Sequence, residues 1–598
     1  MTSSFWLHPS LILIAGALLL PLIPKKIRTA YLIIVPLLVL VRIITMQITG
    51  PGIFGTLHTF GLDLIFGRVD RLSQIFAIIM GIMALLGTVY GLHVKENGHH
   101  TASWIYVAGS LGVIFAGDFI TLFIFWEMMA FSSVFLIWLR RSARSEGAGY
   151  RYLLVHVAGG LSLLAGILLR WKATGSFAFD HLSVANPDIS TYLIAAGFLL
   201  NAAVPPLHAW LPDAYSEATV TGSVFLCAFT TKTAVYALIR SVSGMDILLP
   251  LGVAMALYGV VYAVLENDSR KLLAYHIISQ VGYMVAAVGL GTELAINGAC
   301  AHAFAHILYK GLLFMGTGAV LHMTGESRFS ALGGLYKKMP LAFLFTLIGG
   351  LSISAFPLFS GFVSKSIIVA ASFEDHRLWA GMLLLVASAG TFLHTGLKVP
   401  YFIWFGKDNC TSDIREKAKD APWNMNLAMA ITAALCIGIG CFPDALYRLL
   451  PFAMDFHPYT GYHIAETMQI LAFTALGFFI CLKILEPHAT TSVDLDWFYR
   501  NGGRIFLWLA EKPAQRFDTM VNEAYRAVGF FLMSLTARTA SVFDAKIIDG
   551  VVDGTAASVR SFGDVVRKLQ PGQIQTGLLM LAVLLAVFLV LLAFIVIR

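Results

Sequence analysis

The chain has 598 residues, of which 58% are hydrophobic and only 13% are charged. Soluble proteins carry about 25% charged residues, so this composition excludes an array of soluble domains. The formal net charge of +7 fits basic cytoplasmic loops of a membrane protein, and we therefore reject nucleic-acid binding. We interpret the chain as an all-α polytopic membrane protein.

Apolar stretches of about 18 residues or more, each able to cross a hydrocarbon core of about 30 Å, recur along the sequence. The first has no charged leader and no small-residue cleavage site, so we interpret it as a spanning helix rather than a signal peptide. The pattern predicts about sixteen spanning helices. They lie near residues 9–23, 30–47, 73–93, 102–117, 118–139, 150–170, 189–204, 217–240, 246–265, 271–290, 297–321, 340–357 with a broken continuation to about 372, 379–405, 424–446, 464–485 and 573–597.

Basic residues cluster in the loops after the odd-numbered predicted helices, as in Lys25/Lys26/Arg28 and Arg140/Arg141. The loops after the even-numbered helices are poorer in them. The positive-inside rule then predicts an external N-terminus and cytoplasmic basic loops. We expect a multi-pass protein of the cell (inner) membrane.

Two predicted helices are interrupted by proline. Val204-Pro205-Pro206 ends one apolar run early, and Pro357 with Gly361 splits another. Broken helices are tolerated at membrane depth where protein or a water-filled cavity satisfies the freed backbone groups, and transporters place their ion paths there. An ordinary proline kink is the alternative interpretation of each interruption.

Seven ionisable residues lie within or beside these apolar helices, where an ionised side chain costs at least about 2.5 to 3.5 kcal/mol. Because desolvated lysines and imidazoles can exchange protons near physiological pH, the series predicts a proton relay. A static ion pair of Glu127 with a lysine, or a hydrogen-bonded core histidine, is the structural alternative. The seven are Glu127, Lys232, His302, His306, Lys310, Lys365 and Lys398.

Motifs for a metal, a cofactor or an enzyme active site are not predicted. His302 and His306 have a spacing that can share a metal ion, but their helix offers no suitable third ligand. The six cysteines form no CxxC pair, which argues against iron-sulfur clusters and disulfides. No phosphate-binding loop, dinucleotide fingerprint or nucleophile elbow occurs. Any enzymatic activity would therefore belong to a whole complex.

The composition changes after about residue 490, where charges of both signs alternate with apolar residues. Val528, Phe531, Leu532 and Leu535 repeat at three and four positions, which predicts a lateral amphipathic helix lying along a surface. Its near-balanced charge favours protein partners over anionic lipid. We divide the chain into N-terminal transmembrane helices (1–100), an ion-translocating core (101–405), additional transmembrane helices (406–489), the lateral segment (490–572) and a C-terminal anchor (573–598).

Four sequence segments together resemble the antiporter-like subunits of Mrp sodium/proton antiporters, respiratory complex I and membrane-bound hydrogenases. The resemblance covers roughly residues 70–480 and is most similar to the D-type Mrp component, whereas the tail is similar to the complex I component with a lateral helix. The segments are PPLHAWLPDAYSEATVTGSVF (205–225), ENDSRKLLAYHIISQVGYM (266–284), HAFAHILYKGLLFMGTGAV (302–320) and SAFPLFSGFVSKS (354–366).

This resemblance implies two inverted five-helix repeats, each with a half-channel around a broken helix. It also implies roles for the buried residues: Glu127 as the fifth-helix glutamate, Lys232 as the bridging lysine, and Lys365 as the lysine of the second broken helix. His302, His306 and Lys310 match the connecting groups between them. The family usually has a lysine where this chain has Asn201, so Glu127 loses its usual partner, and Lys232 is the replacement that helix order predicts.

We therefore expect a proton-translocating subunit of a multi-subunit membrane complex, which exchanges protons for sodium. One alternative is a proton-pumping role that is driven by redox chemistry in partner proteins of a complex I-like or hydrogenase-like assembly. Another is a scaffold whose lateral helix clamps neighbouring subunits. For the chain as a whole, the expected partners are other membrane subunits, protons, sodium and the lipid bilayer. We expect no cofactor.

Overall fold

The computed structural model describes residues 6–59, 61–488, 493–568 and 572–596. The chain forms two compact units, Met1–Asp496 and Trp497–Arg598. Twelve helices in the described ranges are long and apolar enough to cross a membrane, and three shorter apolar helices accompany them. The prediction of a multi-pass helical membrane protein is confirmed, whereas the number sixteen, the inverted repeats and the domain boundaries stay predictions.

A β-hairpin that was absent from the predicted elements follows the first two helices. Its strands pair antiparallel, with Gly52 opposite Val69, and the backbone N–H of Ile65 donates to the Asp118 carboxylate at 2.6 Å. The hairpin therefore packs on the helix that Asp118 caps. This part of the chain comprises α1 (Pro9–Leu19), α2 (Arg28–Thr49), β1 (Gly52–Thr59), β2 (Leu62–Val69) and α3 (Arg71–Tyr90).

The two helical halves that follow share features at the same interval along the chain. Asp118 and Asp268 each bridge to the loop after the second helix that follows them, at Ala178 and Arg328. The first half comprises α4 (Asn97–Phe115), α5 (Phe119–Trp138), α6 (Ala143–Thr174), α7 (Ile189–Asn201), α8 (Trp210–Glu217), α9 (Val220–Ala228) and α10 (Thr230–Val242).

The second half repeats a helix of 32 residues, since α6 and α13 have this same length and both end at a left-handed glycine, Gly175 and Gly325. It comprises α11 (Leu248–Leu265), α12 (Ser269–Leu290), α13 (Glu293–Thr324), α14 (Pro340–Ile353), α15 (Ser360–Glu374) and α16 (Leu378–Thr391). Four further helices complete the first unit: α17 (Ser412–Lys417), α18 (Trp423–Cys441), α19 (Asp444–Tyr447) and α20 (Gly461–Ile480).

Both predicted interruptions are present, and they have the same backbone form. The chain leaves α7 and α14 through an alanine in the left-handed region, Ala203 with φ 61° and Ala355 with φ 58°. A proline two residues later, Pro205 or Pro357, prevents the helix from continuing. Left-handed alanine is strained and persists where the surrounding structure holds it, often at functional sites.

Two further irregularities lie in spanning helices and were not predicted. Phe229 interrupts the helix between α9 and α10. After α16, the chain continues through two π-helical segments, Phe392–Lys398 and Tyr401–Phe405. π-Helical turns are rare in proteins, and those that occur are often found at functional sites. The break at Phe229 and the π-helical segments both lie beside buried lysines that are described below.

Helices α11 and α12 approach so closely that their contact positions require glycine. A Cβ atom on Gly252 would lie 2.6 Å from the carbonyl oxygen of Gly282, and one on Gly282 would lie 2.6 Å from that of Gly252. Such small-residue contacts let spanning helices pack backbone against backbone. The α11–α12 pair is therefore a rigid element, and it carries part of the site.

Asp494 holds the last residues of the first unit against its helices. Its carboxylate accepts hydrogen bonds from the hydroxyls of Tyr258 and Tyr275, the latter at 2.5 Å, and lies 3.2 Å from Nε2 of His208. Burial raises the pKa of Asp494, but these three hydrogen bonds outweigh it and hold the pKa well below its usual value. Asp494 thus stays ionised at physiological pH.

The second unit contains one long helix and a terminal apolar helix. The long helix runs without a break through α21 (Asp496–Leu509), α22 (Gln515–Phe543) and α23 (Asp549–Lys568), joined by π-helical turns. At about 1.5 Å per residue it spans roughly 110 Å. The final helix is α24 (Ile574–Val596). That the long helix lies along the membrane surface remains a prediction.

Candidate functional site

Lys232 and Lys365 each bind the exposed carbonyl end of an interrupted helix. The ammonium nitrogen of Lys232 donates to the carbonyl oxygen of Cys227 at 2.6 Å, and that of Lys365 donates to Ile353 at 3.1 Å. The last carbonyls of a helix lack partners within it and carry partial negative charge. The helix breaks thereby stabilise these buried ammonium groups without a carboxylate.

Lys398 repeats this arrangement at a third helix end. This lysine lies in the first π-helical segment, and its ammonium nitrogen donates to the carbonyl oxygens of Val264 at 2.6 Å and Glu266 at 2.8 Å, where α11 ends. The ring of Phe329 lies 5.5 Å away. Three of the four predicted lysines are therefore held by helix C-termini.

Lys310 differs because its neighbour is a histidine. Its ammonium nitrogen lies 3.2 Å from Nδ1 of His276, which projects from α12 and was not among the predicted residues. Within the described residues, Lys232, Lys310 and Lys365 have no carboxylate partner. An imidazole can accept the proton that Lys310 carries, which a backbone carbonyl cannot do.

A line of hydrogen bonds continues from His276 to the second broken helix. His276 Nε2 lies 3.1 Å from the hydroxyl of Thr391, and the Gln280 amide nitrogen lies 3.2 Å from the same hydroxyl. The Gln280 amide oxygen lies 3.2 Å from His302 Nε2. His302 Nδ1 in turn lies 3.3 Å from the hydroxyl of Ser364, which precedes Lys365. This line, here called the polar line, is completely buried.

His306 lies beside the polar line without joining it. Neither ring nitrogen has a hydrogen-bond partner among the described residues, and the side chain interacts electrostatically with Lys232 and Lys310. Its ring centroid is 6.2 Å from that of His302. Among the residues that the structure places, no group of three potential metal ligands comes together. His306 therefore senses the charge of both lysines without a hydrogen bond to either of them.

Glu127 is separate from these groups. The prediction that it pairs with Lys232 is wrong, because the Lys232 ammonium group binds Cys227 and Thr231 instead. The Glu127 carboxylate abuts Gly160 of α6, where any Cβ would clash with it, and its Oε1 has no hydrogen-bond partner among the described residues. Asn201 of α7 and His156 of α6 lie beside each other. Lys232 instead faces the α9 end, because the break at Phe229 exposes carbonyls there.

This separation gives a first prediction. Because Glu127 and Lys232 do not contact each other, the single changes Glu127→Gln and Lys232→Ala should act independently, and their effects on the proton-transfer rate should multiply in the double variant. Proton flux per assembled complex would be measured in membrane vesicles with a fluorescent pH dye. A double variant no slower than the slower single variant would show that the two residues act as one unit.

Five polar residues of the site were missed from the sequence: His276, Gln280, Thr391, His394 and Thr395. His394 and Thr395 lie beside His276, with Thr395 3.3 Å from its Nδ1 and the two rings 4.6 Å apart. Their signal was a three- and four-residue spacing of polar side chains along apolar helices. Uncharged residues of this kind are commonly buried for structural reasons, so the spacing alone did not single them out.

The fold and the polar line define a multi-pass membrane protein that keeps connected ionisable side chains inside its helix bundle. Residues 116–391 match the family model described as NADH:quinone oxidoreductase/Mrp antiporter, TM. This segment, a little under half of the chain, therefore resembles that family of antiporter-like membrane subunits. The finer resemblance to the D-type Mrp component stays a prediction.

Three similar proteins illustrate the relationship. The A-type component of the Na(+)/H(+) antiporter of Alkalihalophilus pseudofirmus is 28% identical over 564 residues, covering 81% of this chain and 69% of that protein. A chain of the Mrp complex from Dietzia sp. DQ12-45-1b superposes with a TM-score of 0.74 at 24% identity, covering 89% of this chain and 62% of that one. A chain of an archaeal membrane-bound sulfane sulfur reductase superposes with a TM-score of 0.69 at 25% identity, covering 98% of this chain and 99% of that one.

Proposed function

We propose that this chain translocates protons across the cell membrane as one subunit of a larger membrane complex and exchanges them for sodium. The observation that carries the proposal is the buried polar line from Lys310 through His276, Gln280 and His302 to Ser364. Every step along it joins groups within hydrogen-bond distance, so a proton can pass without leaving the protein interior.

The roles of the lysines follow from their partners. Lys232 and Lys365 are held by helix-end carbonyls at the two ends of the site, where they receive and release protons. Lys310 donates its proton to His276, while His306 interacts electrostatically with both Lys232 and Lys310. Since adjacent buried lysines repel each other when all are charged, loading one favours release from the next. Lys398 extends the site toward the end of α11.

Exchange for sodium rests on the named relatives, because the similar protein from Alkalihalophilus pseudofirmus is one component of a Na(+)/H(+) antiporter. That name describes one component of a larger antiporter, so we expect other membrane subunits as the partners of this chain. Glu127, which lies apart from the lysines, supplies the carboxylate of the first half.

Redox-driven pumping is a second candidate, and one observation favours it. The superposition on the archaeal sulfane sulfur reductase chain extends over 98% of this chain, including the tail, and over 99% of that chain. That complex is described as an archaeal respiratory membrane complex. In this version the same polar line would carry protons, with partner proteins supplying the driving reaction.

A sodium pulse separates the two versions and tests the role of this chain. In inside-out vesicles that contain the assembled complex, added sodium chloride should move protons if the complex is an antiporter. Lys365→Ala should lower this flux at least about tenfold while leaving assembly intact, since the lysine lines a cavity and contributes little packing.

Lys338→Ala is the matched control, because Lys338 is an exposed lysine of the loop before α14. It should leave proton flux unchanged. Proton movement that needs an electron donor and ignores sodium would select the redox-driven version. Full flux in assembled Lys365→Ala complexes would overturn the proposed function of this chain.

A further inference from the structure

A cavity of about 330 Å³ lies near the ends of α3, α5 and α13 and the starts of α4 and α9. Six of its ten lining residues have polar side chains, and none of the ten has a carboxylate. The cavity lies on the side of the basic loop after α5, which is predicted to be cytoplasmic. The six polar residues are His93, His99, Arg140, Thr219, Thr221 and His322.

The first turn of α9 offers backbone N–H groups to this cavity. Thr219 caps the helix, and its hydroxyl accepts the N–H of Gly222 at 3.0 Å. The N–H groups of Val220 and Thr221, two residues that line the cavity, have no hydrogen-bond partner among the described residues. Because these groups form the positive end of the helix dipole, they can bind an anion.

The Thr221 side chain independently indicates a ligand. It is only 6% exposed, and its methyl group lies against Gly91. Its hydroxyl forms no hydrogen bond with any residue that the structure describes, although Thr221 contributes to the cavity wall. A buried hydroxyl without a partner is costly, and an acceptor bound in the cavity would satisfy it.

Two arginines give the cavity a positive environment. Arg140 contributes to the wall and pairs with Glu217 at 3.2 Å. Arg270 of α12 is buried behind the same wall, where its guanidinium group donates to the carbonyl oxygens of Ala218 at 2.8 Å and Thr219 at 3.3 Å. Arg140 repels it, and within the described part of the chain it forms no ion pair. A buried guanidinium group of this kind favours an anion nearby.

His93 is arranged as a hydrogen-bond donor rather than as a metal ligand. The amide nitrogen of Asn424 donates to the backbone carbonyls of Val89 and Tyr90 and lies 3.2 Å from Nδ1 of His93. Nδ1 is therefore the acceptor, and Nε2 carries the hydrogen. The ring of His322 lies 4.7 Å away, but no group of three potential metal ligands occurs among the residues described.

We propose that this cavity binds a phosphate oxyanion. Arg140 and the first N–H groups of α9 hold the negative charge, and the Thr221 hydroxyl and the His93 Nε2–H donate to the oxygens. Donors from three separate segments suit a tetrahedral anion, and the cavity has room for the anion together with water. The site lies outside the polar line, so the inference does not depend on the proposed function. Free phosphate and a phospholipid headgroup share this chemistry.

Equilibrium binding of radiolabelled orthophosphate to the purified full complex in detergent tests the site, at constant sodium concentration and pH. Thr221→Val keeps the shape of the buried side chain but removes the hydroxyl, and Arg140→Gln removes the charge. Each change should weaken binding at least about tenfold, because hydrogen bonds to charged groups are strong. Sulfate should compete with the label, whereas chloride should not.

Two matched controls lie outside the cavity. Arg141→Gln removes the neighbouring arginine, which pairs with Glu96 at 3.0 Å, and Thr317→Val changes a buried threonine of α13. Both variants should bind phosphate as the natural chain does. Because Arg140 also donates to the Ser216 carbonyl oxygen, Thr221→Val is the deciding variant if Arg140→Gln reduces the amount of folded complex.

The source of the phosphate group is identified in phosphatidylcholine nanodiscs with labelled orthophosphate or labelled phosphatidic acid as the probe. Orthophosphate binding that Thr221→Val weakens assigns the site to free phosphate. Binding of phosphatidic acid alone, with the same loss in Thr221→Val, assigns it to a lipid headgroup. Absence of saturable binding of both probes, or equal binding by Thr221→Val and the natural chain, would overturn the proposal.

Discussion

Replacing Lys310 by alanine is expected to lower proton flux through the assembled complex by at least about 100-fold, since a positioned proton-transfer group contributes roughly 10² to 10⁴. Lys310 is the only one of the four buried lysines, among the residues described, whose ammonium group lies against an imidazole. Without it, His276 loses its proton source and the polar line is interrupted at its first step.

Assembly should survive the Lys310→Ala change, because removing a buried cation that has no carboxylate partner also removes its desolvation cost. Lys310→Arg is the sharper comparison, since arginine keeps the positive charge but does not release its proton at physiological pH. Flux and the amount of assembled complex would both be measured. If the arginine variant transports at the normal rate, a fixed charge suffices and Lys310 does not carry the proton.

Replacing Gly252 by alanine is the second change expected to have a large effect. The new Cβ would lie 2.6 Å from the Gly282 carbonyl oxygen and against the backbone nitrogen of Ala286, and neither atom can move alone. Overpacking of this kind costs about 1 to 3 kcal/mol. Separation of α11 from α12 should also displace His276 and Gln280. We expect a lower thermal midpoint and less transport per complex.

Gly438→Ala provides the matched control for this packing change. Gly438 lies within α18, and a Cβ there would meet no atom within 4 Å. Because alanine is favoured over glycine in a helix by about 1 kcal/mol, this variant should be at least as stable as the natural chain. Equal thermal midpoints for Gly252→Ala and Gly438→Ala would contradict the close packing of α11 and α12.

The features that the sequence predicted correctly are those in which one residue carries a large energetic cost or one pattern is long. Pro205 and Pro357 cannot continue a helix, so both interruptions were predictable. Likewise Lys232 and Lys365 are costly in an apolar helix and therefore visible as candidate site residues. The long amphipathic helix of the second unit was predictable because its apolar spacing repeats over many turns.

The features that were missed depend on contacts between distant segments. His276 became important only when folding placed it beside Lys310, and Glu127 was assigned to Lys232 although a glycine of α6 receives its carboxylate. The hairpin and the π-helical segments were missed for a related reason. The π-helical backbone is set by the helices packed against it. The hairpin contains strand-forming residues such as Ile53 and Ile65, but its place depends on a contact with the distant Asp118.

The equal intervals along the two halves also relate positions inside their helices. At that same interval His156 of α6 corresponds to His306 of α13, and Gly160 corresponds to Lys310. Both halves thus place a histidine one turn before this position, but only the second half has a lysine there. In the first half the glycine leaves space that the Glu127 carboxylate occupies. Corresponding positions therefore carry an acidic group in one half and a basic group in the other.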